Sequence, residues 1–269
     1  MAITSANDYI NSAKQVIPFT KTGSVTSVAA TRFSVFNAAG NPGAGTLALT
    51  SALTGVVPDA TVAGYPSLNA FGGSAVGYLS RVAYSSSVTG RLELWDRVFG
   101  INVLLTSAAT TTLASQASYS ARIPNSNYAG LRIFLEVTTV VSATATTVQV
   151  TYTNQSGTTG RTAIVSGSLS GFTVNRLVEV ALQAGDSGVQ KIETVIVGGT
   201  PATGGAAVNV IVLRPLWTNR VPIANGGGVD GVDRTGLPQV YATSALFLTS
   251  VPDSTSTGVP DLNIEIANN

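Results

Sequence analysis

A long internal repeat constrains the fold of this chain more than any other sequence feature. Residues 72–99 match residues 185–217 at spaced positions, with an offset of 113 before the connecting turn and 118 after it. The pairs before the turn are Gly72/Gly185, Ser74/Ser187, Val76/Val189, Leu79/Ile192 and Val82/Val195. A period this long is typical of duplicated domains, not of a solenoid of short repeats.

The match continues downstream at almost the same offset, where residues 128–135 match 241–248 and residues 148–154 match 262–268. The repeat therefore predicts two copies of one β-rich unit behind an N-terminal arm. The predicted segments are residues 1–32 (arm), 33–150 (first copy) and 151–269 (second copy). The alternative is that two β-rich segments of similar composition align by chance.

Short strand patterns follow one another with almost no helix between them, which indicates an all-β fold. We expect two tandem antiparallel domains of the β-sandwich or jelly-roll type, and an edge strand shared or exchanged between them or between subunits. Two hairpins are predicted in the first copy, residues 78–84 with 91–99 and 131–141 with 147–153. A Gly-rich stretch, residues 219–237, is predicted as the longest irregular loop.

Residues 4–16 form the best helix candidate. Ser5 is suited to cap this helix, and Asp8 falls in its first turn, where a negative charge suits the helix dipole. We expect the helix to end before Pro18. Such an arm packs on its own domain or reaches a neighbouring subunit, so Tyr9 is a candidate subunit contact.

The composition argues against several functional classes. Charged residues make up 10% of the chain, against about 25% in an average soluble domain, and the formal net charge is +1 with no run of Lys or Arg. We therefore expect no nucleic-acid partner, since phosphate binding uses clustered positive charge. We also expect no membrane partner, because no apolar run approaches the ~20 residues of a spanning helix. The chain starts without a signal-peptide pattern, which predicts synthesis in the cytoplasm.

Catalytic and metal chemistry find few suitable residues. Gly185-Asp186-Ser187-Gly188 spells the nucleophile motif of chymotrypsin-like proteases, but the chain has no histidine to accept the serine proton. We expect a turn there and no enzyme activity. Without His or Cys, calcium bound by oxygen ligands is the remaining metal option, with Asp230 and Asp233 as weak candidates. No cofactor is expected.

Arg97 and Arg214 occupy matching places, which we expect to be ends of equivalent strands. Either they make contacts at a subunit boundary, where the planar guanidinium is favoured, or they form strand-end ion pairs. We expect Trp95, Phe99 and Trp217 to lie in the core.

Three segments carry a resemblance to a known group: VTYTNQSGTTGR (150–161), LQAGDSGVQKI (182–192) and VLRPL (212–216). Together with the start MAITS, they are similar to a mostly uncharacterised group of tailed-bacteriophage virion proteins encoded near the major capsid protein. The resemblance covers the arm and the second copy best. Its motifs are structural, so it transfers no functional residues.

The resemblance implies a capsid decoration or cement protein on the outside of the phage head, with the major capsid protein and other copies of itself as partners. Two similar units per chain would let a trimer present six units at a three-fold or quasi-six-fold lattice position. The alternatives are a tail, baseplate or head-fibre component, and a β-sandwich that binds host glycans through exposed aromatic residues.

Overall fold

The computed structural model describes residues 3–71 and 76–268. As the sequence predicts, the regular structure is nearly all β, and the paired strands are antiparallel. The strands, numbered along the chain, are β1 (Ala13–Lys21), β2 (Arg32–Ser34), β3 (Gly40–Asn41), β4 (Val76–Ser86), β5 (Gly90–Leu104), β6 (Ala109–Thr112), β7 (Arg132–Thr139), β8 (Thr146–Asn154), β9 (Arg161–Ile164), β10 (Arg176–Val180), β11 (Val189–Gly199), β12 (Ala207–Val221), β13 (Gly227–Asp230), β14 (Gln239–Tyr241), β15 (Leu246–Pro252) and β16 (Pro260–Asn268).

Two short α-helices accompany the strands, α1 (Ala6–Asn11) and α2 (Val232–Thr235), and two 3-10 turns lie at Ser120–Arg122 and Pro124–Ser126. Within the described ranges, neither α-helix has the length and hydropathy of a membrane span.

The chain divides into two compact units. Unit 1 contains the residues up to Thr46, Asp59–Asp96 and the residues from Leu216 onward. Unit 2 contains Leu47–Pro58 and Arg97–Pro215. These units do not coincide with the predicted segments 33–150 and 151–269, because strands of one segment pair with strands of the other. The duplication itself stays a prediction.

Unit 1 is a sandwich of two sheets around one core. Its larger sheet has the order β13-β4-β16-β1-β3, with β14 also paired to β4, and its smaller sheet is formed by β2, β15 and the first half of β5. Apolar residues facing inward from both sheets fill the core, among them Phe19, Leu79, Leu94, Leu248 and Ile264. Period-2 alternation explains which residues these are, since successive side chains on a strand point to opposite faces.

Unit 2 has the same construction. One sheet has the order β6-β11-β8-β9, and the other contains β10, β7 and the first half of β12. Its core includes Val150, Ile192 and Val195 from the first sheet and Leu135 and Val210 from the second. The sandwich class is thus confirmed for the chain.

The predicted hairpins are wrong in their pairing, although their strands exist. Strands β4 and β5 follow each other in sequence but lie in different sheets, as do β7 and β8. The chain therefore crosses from one sheet to the other at these turns, which lets both sheets contribute to one core.

The N-terminal helix is shorter than predicted. The Ser5 hydroxyl accepts from the Asp8 amide, so Ser5 caps α1 as predicted. The Asp8 carboxylate accepts from the Ser5 amide in turn, which completes a capping box. The helix ends at Asn11, however, and the rest of the predicted helix is part of β1, which contains Pro18. Pairing with β16 along its whole length favours the strand over a marginal isolated helix.

The Gly-rich stretch 219–237 is not an irregular loop throughout. It includes the end of β12, the edge strand β13 and the helix α2. The backbone groups of this glycine-rich segment need hydrogen-bond partners, and pairing of β13 with β4 provides them.

Lys21 is buried in unit 1 at the end of β1 and is 0% exposed. Its Nζ donates hydrogen bonds to the carbonyl oxygens of Ala38 (3.1 Å) and Pro42 (2.9 Å). Burial lowers the pKa of Lys21 to about 8, because the charged form is poorly solvated there. Below this pH the fold therefore holds a buried charge.

This pKa gives stability a pH dependence. The unfolded chain keeps the Lys21 proton up to an ordinary pKa near 10.5, whereas the folded chain releases it near pH 8. Between these values the unfolded state binds more protons, so the free energy of unfolding rises with pH by about 1 kcal/mol per unit. Urea denaturation of the wild type and of Lys21→Met from pH 7 to pH 10 should show this rise in the wild type alone. Parallel curves would refute it.

Candidate functional site

Arg97 lies in the middle of β5, not at a strand end, and is 0% exposed. Its guanidinium forms an ion pair with the carboxylate of Glu136 on β7, whose side chain is also 0% exposed. Asn209 on β12 donates a further hydrogen bond of 2.9 Å from Nδ2 to the same Oε2 of Glu136. This burial leaves Arg97 no surface for a contact with another subunit.

Sequence reasoning missed two other polar residues that organise unit 2. Asn209 donates from Nδ2 to the Leu47 carbonyl oxygen (2.7 Å) and accepts from the Leu49 amide (3.1 Å), which holds the segment 47–58 against β12. Arg122 is buried and donates to the carbonyl oxygens of Pro58 and Arg97. Neither residue stands out in the sequence, because their partners are remote backbone groups.

Arg214 also lies within a strand, near the middle of β12, and is 6% exposed. It therefore offers little surface to a neighbouring subunit. The three predicted core aromatics are confirmed, since Trp95, Phe99 and Trp217 are 5%, 0% and 7% exposed.

Tyr9 on α1 is half-buried, and its hydroxyl donates to Glu265 Oε1 at 2.8 Å. This hydrogen bond, together with partial burial, raises the pKa of Tyr9. The bond joins the arm helix to β16, so the arm packs on its own unit. A subunit contact by Tyr9 stays a prediction.

Asp230 is buried and is already used as a hydrogen-bond acceptor. Its Oδ2 accepts from Trp217 Nε1 and Asn219 Nδ2, both at 2.7 Å. Asp233 is exposed and lines, with Tyr9, a cavity of about 340 Å³ beside α1 and α2. Two N–H groups thus donate to Oδ2 of Asp230, the carboxylate oxygen that a cation would need. In the described part of the chain, no group of three or more Asp, Glu, His or Cys side chains is placed to hold a metal ion.

The protease-like motif forms a turn before β11, as predicted. Ser187 is exposed in this turn, and its amide donates to Gln155 Oε1 at 3.0 Å. The matching stretch, residues 72–75, lies outside the described residues.

Asp186 anchors this turn. Its carboxylate accepts hydrogen bonds from the Tyr152 hydroxyl (2.6 Å), Asn154 Nδ2 (2.7 Å) and Arg161 Nε (2.9 Å). Burial by itself would raise the pKa of Asp186, but these hydrogen bonds outweigh it and lower the pKa to about 2. The motif is thus a structural turn held by a permanently ionised carboxylate.

The outer face of the β6-β11-β8-β9 sheet is the most distinctive surface of unit 2. Two rows of four residues cross it from β6 to β9, and none of the eight is charged. We call these eight residues the threonine face. The first row is Thr112, Thr194, Thr151 and Thr162, and the second is Thr110, Ile196, Gln149 and Ile164.

The threonine face points away from the core, because the alternate residues Val148, Val150 and Val195 are buried in it. Its own residues are exposed or half-buried, and Ile164 is 52% exposed. Charged side chains on these strands, such as Glu193, lie beyond the two rows. The result is an uncharged surface with hydroxyl, amide and methyl groups.

The comparable face of unit 1 differs. There the row Val229, Ala83, Asn263 and Pro18 crosses β13, β4, β16 and β1. Charged residues flank this row within the same sheet face: Asp261, which accepts from Thr20 Oγ1 at 2.6 Å, and Glu265, which binds Tyr9. The threonine face is therefore the less charged of the two faces.

The buried Arg97–Glu136 pair should dominate the stability of unit 2. Arg97→Met leaves an uncompensated buried carboxylate and should cost about 3–5 kcal/mol of unfolding free energy, whereas Arg97→Met with Glu136→Leu should recover most of it. Arg132→Met, which breaks the exposed Arg132–Glu179 pair, should cost less than about 1 kcal/mol. Urea denaturation checks all three, and equal costs for Arg97→Met and Arg132→Met would contradict this assignment.

No protein-family model and no curated protein matches the chain. Among solved structures, the chain is similar to a VP2 subviral particle of infectious bursal disease virus, at 11% identity over 96% of this chain and 80% of that one, with a TM-score of 0.22. Structures of the same virus, strains Gt and Gx, give 11% and 10% identity over 96% and 95% of this chain and 81% and 80% of those chains, with TM-scores of 0.20 and 0.21. TM-scores this low do not establish a common fold.

Proposed function

We propose that this protein is a structural component of a tailed-bacteriophage virion, a decoration or cement protein that binds the outside of the head and stabilises the shell. The threonine face carries the proposal. It is an uncharged surface of the kind that protein interfaces prefer at their centre, where charged residues are depleted. The sequence resemblance to phage virion proteins supplies the setting.

The distribution of charge supports this role. The chain has only 14 Lys and Arg and 13 Asp and Glu, and it places eight of these 27 residues in its interior. The buried ones are Lys21, Glu93, Asp96, Arg97, Arg122, Glu136, Arg214 and Asp230. Few charges remain to keep the surface hydrated, which suits a protein that is packed against an assembly.

Glycan binding has less support. Sugar recognition by a β-sandwich usually presents an exposed aromatic ring beside polar groups, but both tryptophans of the chain are buried in unit 1. Tyr9 and Tyr152 both hydrogen-bond within the chain, and Tyr152 lies in the core. A tail or fibre position remains the alternative that the binding experiment tests.

Binding to heads should depend on the threonine face. Purified protein is mixed with mature heads that lack it, and the particles are imaged by cryo-electron microscopy. Regular occupancy of three-fold or quasi-three-fold sites is expected. The double variant Gln149→Lys, Thr194→Lys should lower occupancy at least about tenfold, because it buries two charges without partners.

The matched control is Asn263→Lys, which adds a charge at the comparable position on the unit 1 face. It should bind like the wild type, provided that all variants keep their melting temperature. Bare heads with wild-type protein would refute the decoration role. Equal occupancy by the double variant would show that another surface binds.

We expect the free protein to be a trimer, since six similar units could then match a quasi-six-fold lattice position. Native mass spectrometry without capsids should give three times the chain mass of 27.3 kDa. A monomer or a dimer would contradict this stoichiometry.

A further inference from the structure

The strand lengths repeat along the chain in the same order. Strands β4 and β11 both have 11 residues and begin at residues 76 and 189, 113 positions apart. Strands β5 and β12 both have 15 residues, β6 and β13 both have four, and β8 and β16 both have nine. Their starting positions are 117, 118 and 114 residues apart, respectively.

The strand pairing repeats as well, and each repeated pair joins a strand of β1–β8 to a strand of β9–β16. In unit 1, β4 pairs with β16 and β13, β5 and β2 pair with β15, and β1 pairs with β16. In unit 2, β11 pairs with β8 and β6, β12 and β10 pair with β7, and β9 pairs with β8. Each of these five pairings of unit 1 thus has its counterpart in unit 2 once β1, β2, β4, β5, β6, β7 and β8 are matched with β9, β10, β11, β12, β13, β15 and β16. The pairings of β3 with β1 and of β14 with β4 lie outside this match.

The burial pattern shows that the exchanged strands fill equivalent places. In β8, the buried apolar residues are Val148, Val150 and Tyr152. In β16, 114 positions later, they are Leu262, Ile264 and Ile266. Each strand is the middle partner of its sheet, between β11 and β9 in one case and between β4 and β1 in the other.

We infer that the chain consists of two homologous halves that exchange the strands after their 15-residue strand, and that each half carries a binding surface for the end of the other. Strands β1, β2, β4 and β5 of the first half receive β13, β15 and β16. Strands β9, β10, β11 and β12 of the second half receive β6, β7 and β8. The partner that fits each surface is therefore a half-chain of this fold.

The two 15-residue strands are the points where the exchange occurs. Unit 1 ends and unit 2 begins at Asp96 and Arg97 within β5, and the reverse change falls at Pro215 and Leu216 within β12. A half that kept its own last strands would need a turn at these points. A continuous extended strand instead carries the chain away from the strands that precede it, as in domain swapping.

The loop between β8 and β9 separates the halves and offers a place to cut the folded protein. Residues 156–160 are exposed there, and Gly157 and Gly160 have positive φ. A protease site is placed in this loop, and the variant is cleaved after its melting temperature has been checked. We expect the fragments 1–157 and 158–269 to remain one particle in native buffer and to separate only in denaturant.

The separated fragments are then refolded, alone and mixed. The mixture should recover a one-to-one complex with a single cooperative melting transition, because each fragment lacks strands of both units. Fragments that fold as monomers and do not bind each other would overturn the inference. Separation of the cleaved protein in native buffer would overturn it as well. No capsid is used, so the result does not depend on the proposed function.

A second variant tests equivalence of the exchanged strands in the full chain. Residues 260–268 are replaced by the sequence of residues 146–154, TTVQVTYTN, which keeps apolar residues at the three buried positions. The control uses residues 145–153, so that the same strand is shifted by one and polar residues become buried. The in-register variant should melt cooperatively, roughly 10 °C below the wild type, and the shifted one should not fold. Equal melting of both variants would overturn the inference.

Discussion

Unit 1 depends on the pairing of β16 with β4 on one side and β1 on the other. This pairing joins residues from the beginning of the chain to its last strand, so the ends must meet before the core can close. Leu262, Ile264 and Ile266 then complete a core that strands β1 and β4 leave open. Closing a loop over such separations costs conformational entropy. The apolar area that β16 buries offsets this cost. Strand β8 has the same position in unit 2.

The interior also explains why so few charges are found outside. Asp96 and Arg97 are neighbours on β5, and neighbouring side chains of a strand point to opposite faces. Asp96 accepts hydrogen bonds from Ser244 Oγ (2.8 Å) and the Ala245 amide (3.1 Å) within unit 1. Arg97 pairs with Glu136 within unit 2. Each charged side chain is buried with its partners. The two residues therefore contribute to the interiors of the two units and not to their surfaces.

Local features of the fold could be predicted from the sequence. Ser5 caps α1 as expected, with Asp8 in the first turn, because the donors and acceptors involved lie within four residues. The alternation in β8 and β16 marks these segments as strands for a similar reason. Strand partners could not be predicted, since period-2 alternation identifies a strand but not its neighbour. The hairpins failed on this point, because chain proximity suggested β4 with β5 whereas the sheets pair β4 with β16.

The candidate site shows the same division between local and remote information. The sequence singles out Arg97 through its match to Arg214. The role of Arg97, however, depends on Glu136, which lies 39 residues away, and on Asn209, which the sequence does not distinguish. The threonine face escaped prediction for the same reason. Its threonines come from four separate strands, and no one of them forms a motif. Only the register of β6, β11, β8 and β9 places four of them in one row, so this uncharged surface arises from pairing between remote strands.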